Sequence, residues 1–284
     1  MSDAGEAVCK TCPRHCRLAD GAIGFCRARR AEDGRVVAAN YGQISSLALD
    51  PIEKKPIAFF HPGSNILSIG SYGCNLRCPF CQNDGISQHG VDEVPCRTAT
   101  PVELADLAAR LKDDRDNIGL AYTYNEPLVG WEFVRDCAKE IRARGMFNVL
   151  VSNGCASEEV VSELAPLIDA ANIDIKAMDD GFYRKYCGAE LSPVLENILS
   201  MKDAGIHVEI TNLLVTGLND SAEHVGALCR WMIANGLQEV PLHFSRFFPR
   251  HKMTESEPTP RASLIMARDI AVSSGIKTVY LGNI

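Results

Sequence analysis

Three cysteines lie close together in one short stretch of the chain. Cys74, Cys78 and Cys81 have the spacing C-x3-C-x2-C and follow the apolar run 65–70. Three thiolates on one loop can bind three irons of a 4Fe–4S cluster, which leaves the fourth iron without a nearby protein ligand. An iron with an open position binds and reduces a small molecule, whereas a fully ligated cluster mainly transfers electrons. The loop therefore predicts a catalytic cluster, with a structural zinc site as the alternative.

A second group of four cysteines lies near the start of the chain. Cys9, Cys12, Cys16 and Cys26 have the spacing C-x2-C-x3-C-x9-C. Four thiolates from one short segment predict a closed metal site, and a segment with so little apolar sequence would be poorly ordered without a metal. Zinc in a structural knuckle fits this spacing, and so does a second iron–sulfur cluster that relays electrons or stabilises the segment. The spacing alone leaves both open.

Strand-like and helix-like runs alternate from residue 65 onward. The patterns predict strands over 65–71, 118–124, 147–152, 171–176, 206–214, 239–244 and 277–281, and helices over 101–112, 128–144, 157–167, 192–204, 221–235 and 260–274. Thr100 is expected to cap the first of these helices, with Glu103 completing a capping box. Alternating strands and helices form right-handed βαβ units and a parallel sheet. The sequence therefore predicts an α/β fold with a partial (β/α)6 TIM-barrel-like core, whose chemistry collects at the carboxyl ends of the strands.

The chain divides into three predicted regions. They are a Cys-rich metal-binding module over residues 1–34, a hairpin and linker over 35–64, and the partial barrel over 65–284. The hairpin is expected to pair 36–39 with 44–49, because the turn-forming residues 40–42 lie between these two runs.

Polar residues lie at the end of the second predicted strand of the barrel. Tyr122, Tyr124 and Glu126 occupy alternate positions in the run Ala-Tyr-Thr-Tyr-Asn-Glu-Pro. Side chains alternate along a strand with a period of two, so we expect these three to share one face. An Asn-Glu-Pro helix start without a ligand is the alternative.

The later strands end in polar residues as well. Ser152 and Asn153 end the third strand, Asp174 and Lys176 share one face of the fourth, and His243 ends the sixth. We expect these side chains to meet the cysteine loop at one mouth of the barrel. The alternatives are an interior ion pair between Asp174 and Lys176, and a histidine that simply satisfies a buried polar group.

The C-x3-C-x2-C loop resembles the signature of the radical S-adenosylmethionine (radical SAM) enzymes. Phe80 occupies the aromatic position that often precedes the third cysteine in those enzymes. The resemblance implies a cluster iron that chelates the methionine part of S-adenosylmethionine. It also implies reductive cleavage of that cofactor to a 5′-deoxyadenosyl radical, which abstracts hydrogen.

Downstream segments resemble the enzymes that activate glycyl radical enzymes, such as pyruvate formate-lyase activating enzyme. The resemblance implies that Glu126, on the face shared with Tyr124, accepts a hydrogen bond from the methionine ammonium. It places Ser152 and Asn153 near the cofactor, Asp174 at its ribose or at a cation, Lys176 at its carboxylate and His243 at its adenosine.

The closest resemblance is to the radical SAM member of the AmmeMemoRadiSam group. It is carried by the N-terminal cysteines, the run 121–127, and the segments 182–187, 213–220 and 243–249. This group is related to the activating enzymes, and its substrate is not established.

Composition narrows the function classes. The 284 residues carry a net charge of −7, which argues against a nucleic-acid partner. The polar N-terminus reaches cysteines within ten residues and no apolar run is long enough to span a bilayer, so we expect neither a signal peptide nor a membrane partner. Twelve cysteines without a secretory signal fit metal ligation in a reducing, cytoplasmic compartment.

Three functions suit these features. The first is activation of a protein substrate by hydrogen abstraction, with electrons from a reductant such as flavodoxin or ferredoxin. The second is radical chemistry on a small molecule within the barrel. The third, a non-catalytic electron-transfer protein, leaves Glu126, Asp174 and Lys176 without a role.

Overall fold

A twisted sheet of eight strands forms the centre of the molecule. The computed structural model describes residues 6–284. Their strands are β1 (Ala7–Val8), β2 (Arg17–Leu18), β3 (Arg29–Glu32), β4 (Arg35–Ala38), β5 (Gln43–Ile44), β6 (Ser46–Pro51), β7 (Asn65–Gly70), β8 (Arg97–Thr98), β9 (Asn117–Tyr122), β10 (Phe147–Ser152), β11 (Ala170–Asp174), β12 (His207–Leu214), β13 (Leu242–Arg246) and β14 (Val279–Gly282). The sheet order is β6-β7-β9-β10-β11-β12-β13-β14, and every pair from β7 to β14 is parallel.

Helices connect these parallel strands. They are α1 (Asp84–Ser87), α2 (Pro101–Arg115), α3 (Trp131–Ala143), α4 (Glu158–Leu164), α5 (Asp180–Phe182), α6 (Ser192–Asp203), α7 (Ala222–Ala234) and α8 (Arg261–Ser273). A π-helical turn, Tyr183–Cys187, continues α5, and 3-10 turns lie at Ile52–Lys54, Pro127–Gly130 and Ala165–Leu167. The predicted α/β fold with a partial barrel is confirmed.

The capping box at the start of α2 forms as the sequence predicts. The Thr100 side chain accepts a hydrogen bond from the Glu103 amide, and the Glu103 carboxylate accepts one from the Thr100 amide. These bonds satisfy two amides that a helix leaves unpaired at its first turn. Local sequence alone thus determines where this helix begins.

The predicted hairpin between residues 36–39 and 44–49 is wrong. β4 pairs instead with β3, and β6 pairs antiparallel with β7 at the edge of the main sheet. The cause is the pair Asp33-Gly34, whose φ angles of 49° and 73° form the tight turn that joins β3 to β4. Asp-Gly is a stronger hairpin signal than the run 40–42, because both positions of such a turn need a positive φ.

The inner face of the sheet is closed at the amino ends of its strands by the segment that follows β6. Ile57 of that segment packs with Ile66, Val149 and Ala170, which project from β7, β10 and β11. Phe60 lies edge-on against Phe147, the first residue of β10. The carboxyl ends of the strands therefore form the mouth of the barrel.

The N-terminal segment packs directly against the loop that follows β7. Gly73 adopts φ +88°, and a Cβ there would lie 2.4 Å from the Cys26 carbonyl oxygen and 2.9 Å from the Ala28 Cβ. Position 73 therefore requires glycine both for its backbone angle and for this close approach. The loop and the N-terminal segment are held together at a point where no side chain fits.

We predict that Gly73→Ala lowers the free energy of unfolding by about 2 kcal/mol or more, because it adds both backbone strain and a clash. Gly145→Ala, at φ +65° with open space around its Cβ, should cost about half as much, since only strain is added. Gly85→Ala, with neither feature, serves as the control. Urea unfolding of the three variants under reducing conditions checks this order, and equal losses at positions 73 and 145 would contradict it.

Candidate active site at the Cys74 loop

The three loop cysteines lie at the mouth of the barrel, just beyond β7. Cys78 is buried, while Cys74 and Cys81 are half-buried. The Leu76 amide donates to Cys74 Sγ at 3.3 Å, and Cys81 Sγ lies 3.2 Å from Ser87 Oγ. Hydrogen bonds to sulfur are one means by which a protein sets the potential of an iron–sulfur cluster.

All three thiols are hard to ionise in the absence of a cation. Burial raises the pKa of Cys74 well above its ordinary value and also raises the pKa of Cys81. A hydrogen bond with Cys187, together with burial, raises the pKa of Cys78. Metal ligation requires the thiolate, so positively charged irons would have to offset this cost.

The donor set of the loop suits an iron–sulfur cluster. Its three thiols lie within eight residues, and the Leu76 amide and the Ser87 hydroxyl contact two of the sulfurs. The buried thiols, with N–H and O–H groups at their sulfurs, therefore fit a 4Fe–4S cluster.

Glu126 is a buried carboxylate beside this loop, and its side chain is 3% exposed. Its Oε1 accepts hydrogen bonds from Ser152 Oγ at 2.7 Å and from the Leu128 amide at 3.0 Å, and its Oε2 accepts one from the Asn153 amide at 2.8 Å. Burial raises the pKa of Glu126 to about 7 despite these bonds. The Glu126 side chain connects the ends of β9 and β10. A cation bound beside it would lower its pKa and favour the ionised form.

Asn153 connects that carboxylate to the cysteine loop. Its Nδ2 lies 3.6 Å from Cys74 Sγ and donates to Asn75 Oδ1 at 3.0 Å. Its Oδ1 accepts a hydrogen bond from the Cys155 amide at 2.8 Å, which fixes the orientation of the amide group. The structure thus brings Glu126, Ser152 and Asn153 together with Cys74.

Asp174 and Lys176 form an ion pair at the end of β11. Lys176 Nζ lies 2.8 Å from Asp174 Oδ2, and the two side chains are 15% and 29% exposed in the order Lys176, Asp174. Burial opposes the positive charge, but Asp174 outweighs it, so the pKa of Lys176 is raised. Both residues lie near Cys78, whose pKa each of them shifts.

Phe80 lies in the core rather than at the open mouth. Its side chain is 2% exposed, and its ring centroid lies 6.1 Å from that of Phe182. The α5 segment and the π-helical turn that follows it hold the loop from the other side, since the Arg77 amide donates to the Cys187 carbonyl at 2.8 Å. Phe80 therefore anchors the loop by packing.

The prediction that Tyr122, Tyr124 and Glu126 share one face is wrong. β9 ends at Tyr122, whose hydroxyl donates to Asn148 Oδ1 at 2.9 Å on the helix side of the sheet. Tyr124 has φ 71°, and its hydroxyl lies 3.1 Å from Lys55 Nζ. A left-handed residue breaks the period of two, because side chains alternate only along extended backbone.

His243 does not end its strand, as the sequence predicted, but is the second residue of β13. It is level with Thr211 of β12, which is itself level with Asp174. His243 Nε2 lies 2.5 Å from Glu209 Oε2, while its Nδ1 is buried without a hydrogen-bond partner. The strand predicted over 239–244 begins three residues before β13 does, so His243 was expected closer to the end of the strand than it lies.

Glu209 is the charged group at the centre of the barrel, and its side chain is fully buried. Burial disfavours its charge, but hydrogen bonds from His207, His243 and the amides of Ala58 and Phe59 prevail and hold its pKa at about 2. An ionised Glu209 only accepts hydrogen bonds, so this contact places a proton on Nε2 of His243.

The four N-terminal cysteines line one cavity. Cys9, Cys12 and Cys26 are buried and Cys16 is half-buried. Burial raises the pKa of Cys12, and the neighbouring thiols of Cys9 and Cys16 add to that rise. Residues 1–5 of the predicted Cys-rich module lie outside the described residues. The module was predicted to end at residue 34, but the β3–β4 hairpin extends beyond that residue.

Sequence reasoning missed three side chains that contact the cysteine loop. Asn75 bonds Asn153, Ser87 contacts Cys81, and Cys187 bonds Cys78. Asn75 follows the first cysteine of the motif directly, so its position was a usable signal. Nothing in the local sequence of Cys187 indicates a contact with Cys78.

Comparison with known families and structures agrees with this fold. The family model described as the radical SAM superfamily matches residues 68–232, which is more than half of the chain. The chain therefore belongs to the radical SAM superfamily, and it is an enzyme of that class. A radical SAM methyltransferase from Sphaerobacter thermophilus has a similar fold, with a TM-score of 0.61 and 16% identity over 78% of this chain and 67% of that one.

Curated relatives align with nearly all of the chain or with about half of it. An uncharacterized protein of Methanocaldococcus jannaschii is 44% identical over 99% of this chain and 83% of its own length. A 4-hydroxyphenylacetate decarboxylase activating enzyme of Clostridioides difficile is 29% identical over 56% of this chain and 51% of its own length. The pyruvate formate-lyase-activating enzyme of Clostridium pasteurianum is 28% identical over 55% and 64%. The alignments thus cover roughly half to two thirds of these activating enzymes.

No helix among residues 6–284 combines the length and the apolar character needed to cross a membrane.

The raised pKa of Glu126 predicts that the free energy of unfolding depends on pH. The carboxyl group binds a proton more tightly in the folded chain than in the unfolded chain, where its pKa has the ordinary value of 4.5. Its contribution to the free energy of unfolding is therefore complete below pH 4.5. As the pH rises through 7, about 3 kcal/mol of unfolding free energy is lost, at roughly 1.4 kcal/mol per pKa unit.

Urea unfolding of the cluster-free protein at pH 4.5 and pH 8 measures this loss. We expect the difference between the two pH values to shrink in Glu126→Gln, whatever that variant does to absolute stability. Glu223→Gln, at an exposed position of α7, should keep the full difference. An unchanged difference in Glu126→Gln would show that the carboxyl group is charged throughout.

Proposed function

We propose that this protein binds a 4Fe–4S cluster on Cys74, Cys78 and Cys81 and cleaves S-adenosylmethionine reductively. The bound cluster would supply one electron, which breaks the sulfonium bond and yields methionine and a 5′-deoxyadenosyl radical for hydrogen abstraction. The observation that carries this proposal is the contact of Asn153 with both Cys74 Sγ and the Glu126 carboxylate. A single residue thereby holds the proposed cluster ligand and an anionic group at adjacent positions.

Glu126 suits the ammonium group of the cofactor. Its Oε2 accepts one hydrogen bond within the protein, whereas its Oε1 accepts two, so Oε2 keeps capacity for a further donor. A carboxyl group with a pKa of about 7 becomes fully ionised when a cation binds beside it. The charge of Glu126 would then be stabilised mainly in the loaded site.

The pair of Asp174 and Lys176 would meet the rest of the cofactor. Both side chains keep some exposure at the mouth, and they present one charge of each sign. We assign Lys176 to the cofactor carboxylate and Asp174 to the ribose or a cation. Tyr183 fixes the local backbone, because its hydroxyl accepts a hydrogen bond from the Lys176 amide at 3.0 Å.

A protein is the substrate that we favour. Each activating-enzyme relative is named for another enzyme that it activates, such as a decarboxylase or pyruvate formate-lyase. The sheet runs in linear order from β6 to β14, so the barrel has a side that a polypeptide loop could enter. A one-electron reductant such as flavodoxin or ferredoxin would supply the cluster.

Radical chemistry on a small molecule is the second candidate, and a specific observation favours it. Asn172 Oδ1, Thr211 Oγ1 and His243 Nδ1 are buried in the described part of the barrel without hydrogen-bond partners. Buried polar atoms are costly unless they are paired, so these three call for a polar ligand. Adenosine groups of the cofactor or a small substrate would both satisfy them.

The four N-terminal cysteines would hold a further metal centre. Zinc and a second iron–sulfur cluster both accept four thiolates. The cavity that the four line together is the observation that supports a shared centre.

We predict that the anaerobically reconstituted, dithionite-reduced protein forms 5′-deoxyadenosine from S-adenosylmethionine. Cys78→Ala should abolish this product, because a cluster with two protein ligands is not held in place. Cys229→Ala, which removes a buried thiol on α7, is the matched control and should keep the activity. Product from Cys78→Ala, or none from the wild type with its cluster intact, would overturn the proposal.

The substrate class is separable by the same assay. We expect candidate partner proteins to raise the yield of 5′-deoxyadenosine more than metabolite fractions freed of protein, because a bound substrate gives the radical a hydrogen to abstract. Transfer of deuterium from a labelled partner into 5′-deoxyadenosine would identify the donor. A rise confined to the protein-free fractions would favour the small-molecule candidate.

A further inference from the structure

We propose that Cys9, Cys12, Cys16 and Cys26 hold a redox-active iron–sulfur cluster that passes single electrons to the cluster on the Cys74 loop. This inference rests on the proposed function and extends it, because it assigns the route by which the catalytic cluster is reduced.

One hydrogen bond joins the two cysteine groups directly. The Cys74 amide donates to the Cys26 carbonyl at 3.1 Å, so a proposed ligand of each centre takes part in the same bond. Gly73 lies against the same carbonyl so closely that no Cβ fits between them. Electron transfer weakens steeply with distance, and this contact makes the path between the two centres short.

A second connection runs through side chains. Asn75 lines the cavity of the four N-terminal cysteines and hydrogen-bonds the Cys12 thiol. Its Oδ1 accepts from Asn153 Nδ2 at 3.0 Å, and the same Nδ2 lies 3.6 Å from Cys74 Sγ. Two asparagines thus link a thiol of one group to a thiol of the other.

The contact with the Cys74 loop favours a cluster over zinc at the N-terminal site. The four cysteines share one cavity, and both kinds of metal centre accept four thiolates. Zinc is redox-inactive and would make no use of the contact with Cys74, whereas an iron–sulfur cluster would pass electrons across it.

The N-terminal segment lies at the surface, where an electron carrier can reach it. Its exposed charges balance, because the basic side chains of Lys10, Arg14, Arg17 and Arg35 are matched by the acidic side chains of Glu6, Asp20, Glu32 and Asp33. A low-potential carrier of the flavodoxin or ferredoxin class would supply the electrons there.

The electron balance is simple. The reduced carrier loses one electron to the N-terminal cluster, which then loses it to the cluster on the Cys74 loop. The N-terminal cluster returns to its oxidised state in each cycle, and the carrier is the net reductant.

The triple variant Cys74→Ala, Cys78→Ala, Cys81→Ala isolates the N-terminal centre. After anaerobic reconstitution it should retain iron and sulfide, and reduction should produce the paramagnetic signal of an iron–sulfur cluster. Zinc as the only bound metal, or no metal at all, would overturn the proposal. This result does not depend on S-adenosylmethionine cleavage, so it stands apart from the proposed function.

The relay itself is tested by the ratio of two rates of 5′-deoxyadenosine formation, one driven by reduced flavodoxin and one by dithionite. Dithionite is small and reaches the catalytic cluster directly, whereas flavodoxin must deliver its electrons at the surface. We expect Cys16→Ser to lower this ratio several-fold. Cys96→Ser, which alters a half-buried thiol outside both groups, is the matched control and should keep the wild-type ratio.

The outcomes separate the two proposals. An unchanged ratio in Cys16→Ser, with its N-terminal cluster lost, would overturn the relay and leave the proposed function intact. Wild-type protein that forms no product with either reductant would overturn the proposed function instead, while the triple variant still reports on the N-terminal metal.

Discussion

The buried carboxylate of Glu126 is the interaction on which the geometry of the mouth depends. A carboxyl group at this depth is tolerated only when its oxygens are hydrogen-bonded, and Ser152 Oγ, the Asn153 amide and the Leu128 amide supply those bonds. The bonds hold the ends of β9 and β10 in one arrangement. Asn153 then connects these strand ends to Cys74, so the position of the cysteine loop is fixed relative to the sheet.

The alternating part of the fold could be read from the sequence because each strand and helix is encoded locally. The capping box of Thr100 and Glu103 determines the start of α2, and the apolar runs determine the strands within a few residues. The first hairpin is encoded just as locally, because Asp33-Gly34 forms the turn that pairs β3 with β4.

Other features of the site had no local signal. The left-handed backbone of Tyr124 depends on packing against Gly70, where a Cβ would lie 2.9 Å from the Tyr124 Cβ. The environment of His243 depends on Glu209, which lies 34 residues earlier in the chain. The contact of Cys26 with Cys74 likewise joins distant segments. Such pairs become visible only when the whole chain is folded.

The segment after β6 gives the barrel a floor. Its Ala58 and Phe59 amides donate to the ionised Glu209, and Ile57 and Phe60 cover the amino ends of the inner strands. The floor excludes entry from that end, so the rim and the open side between β6 and β14 are the routes to the interior. In the proposed function, a protein loop that entered by the side would leave the rim to the cofactor, so the two could bind and leave independently.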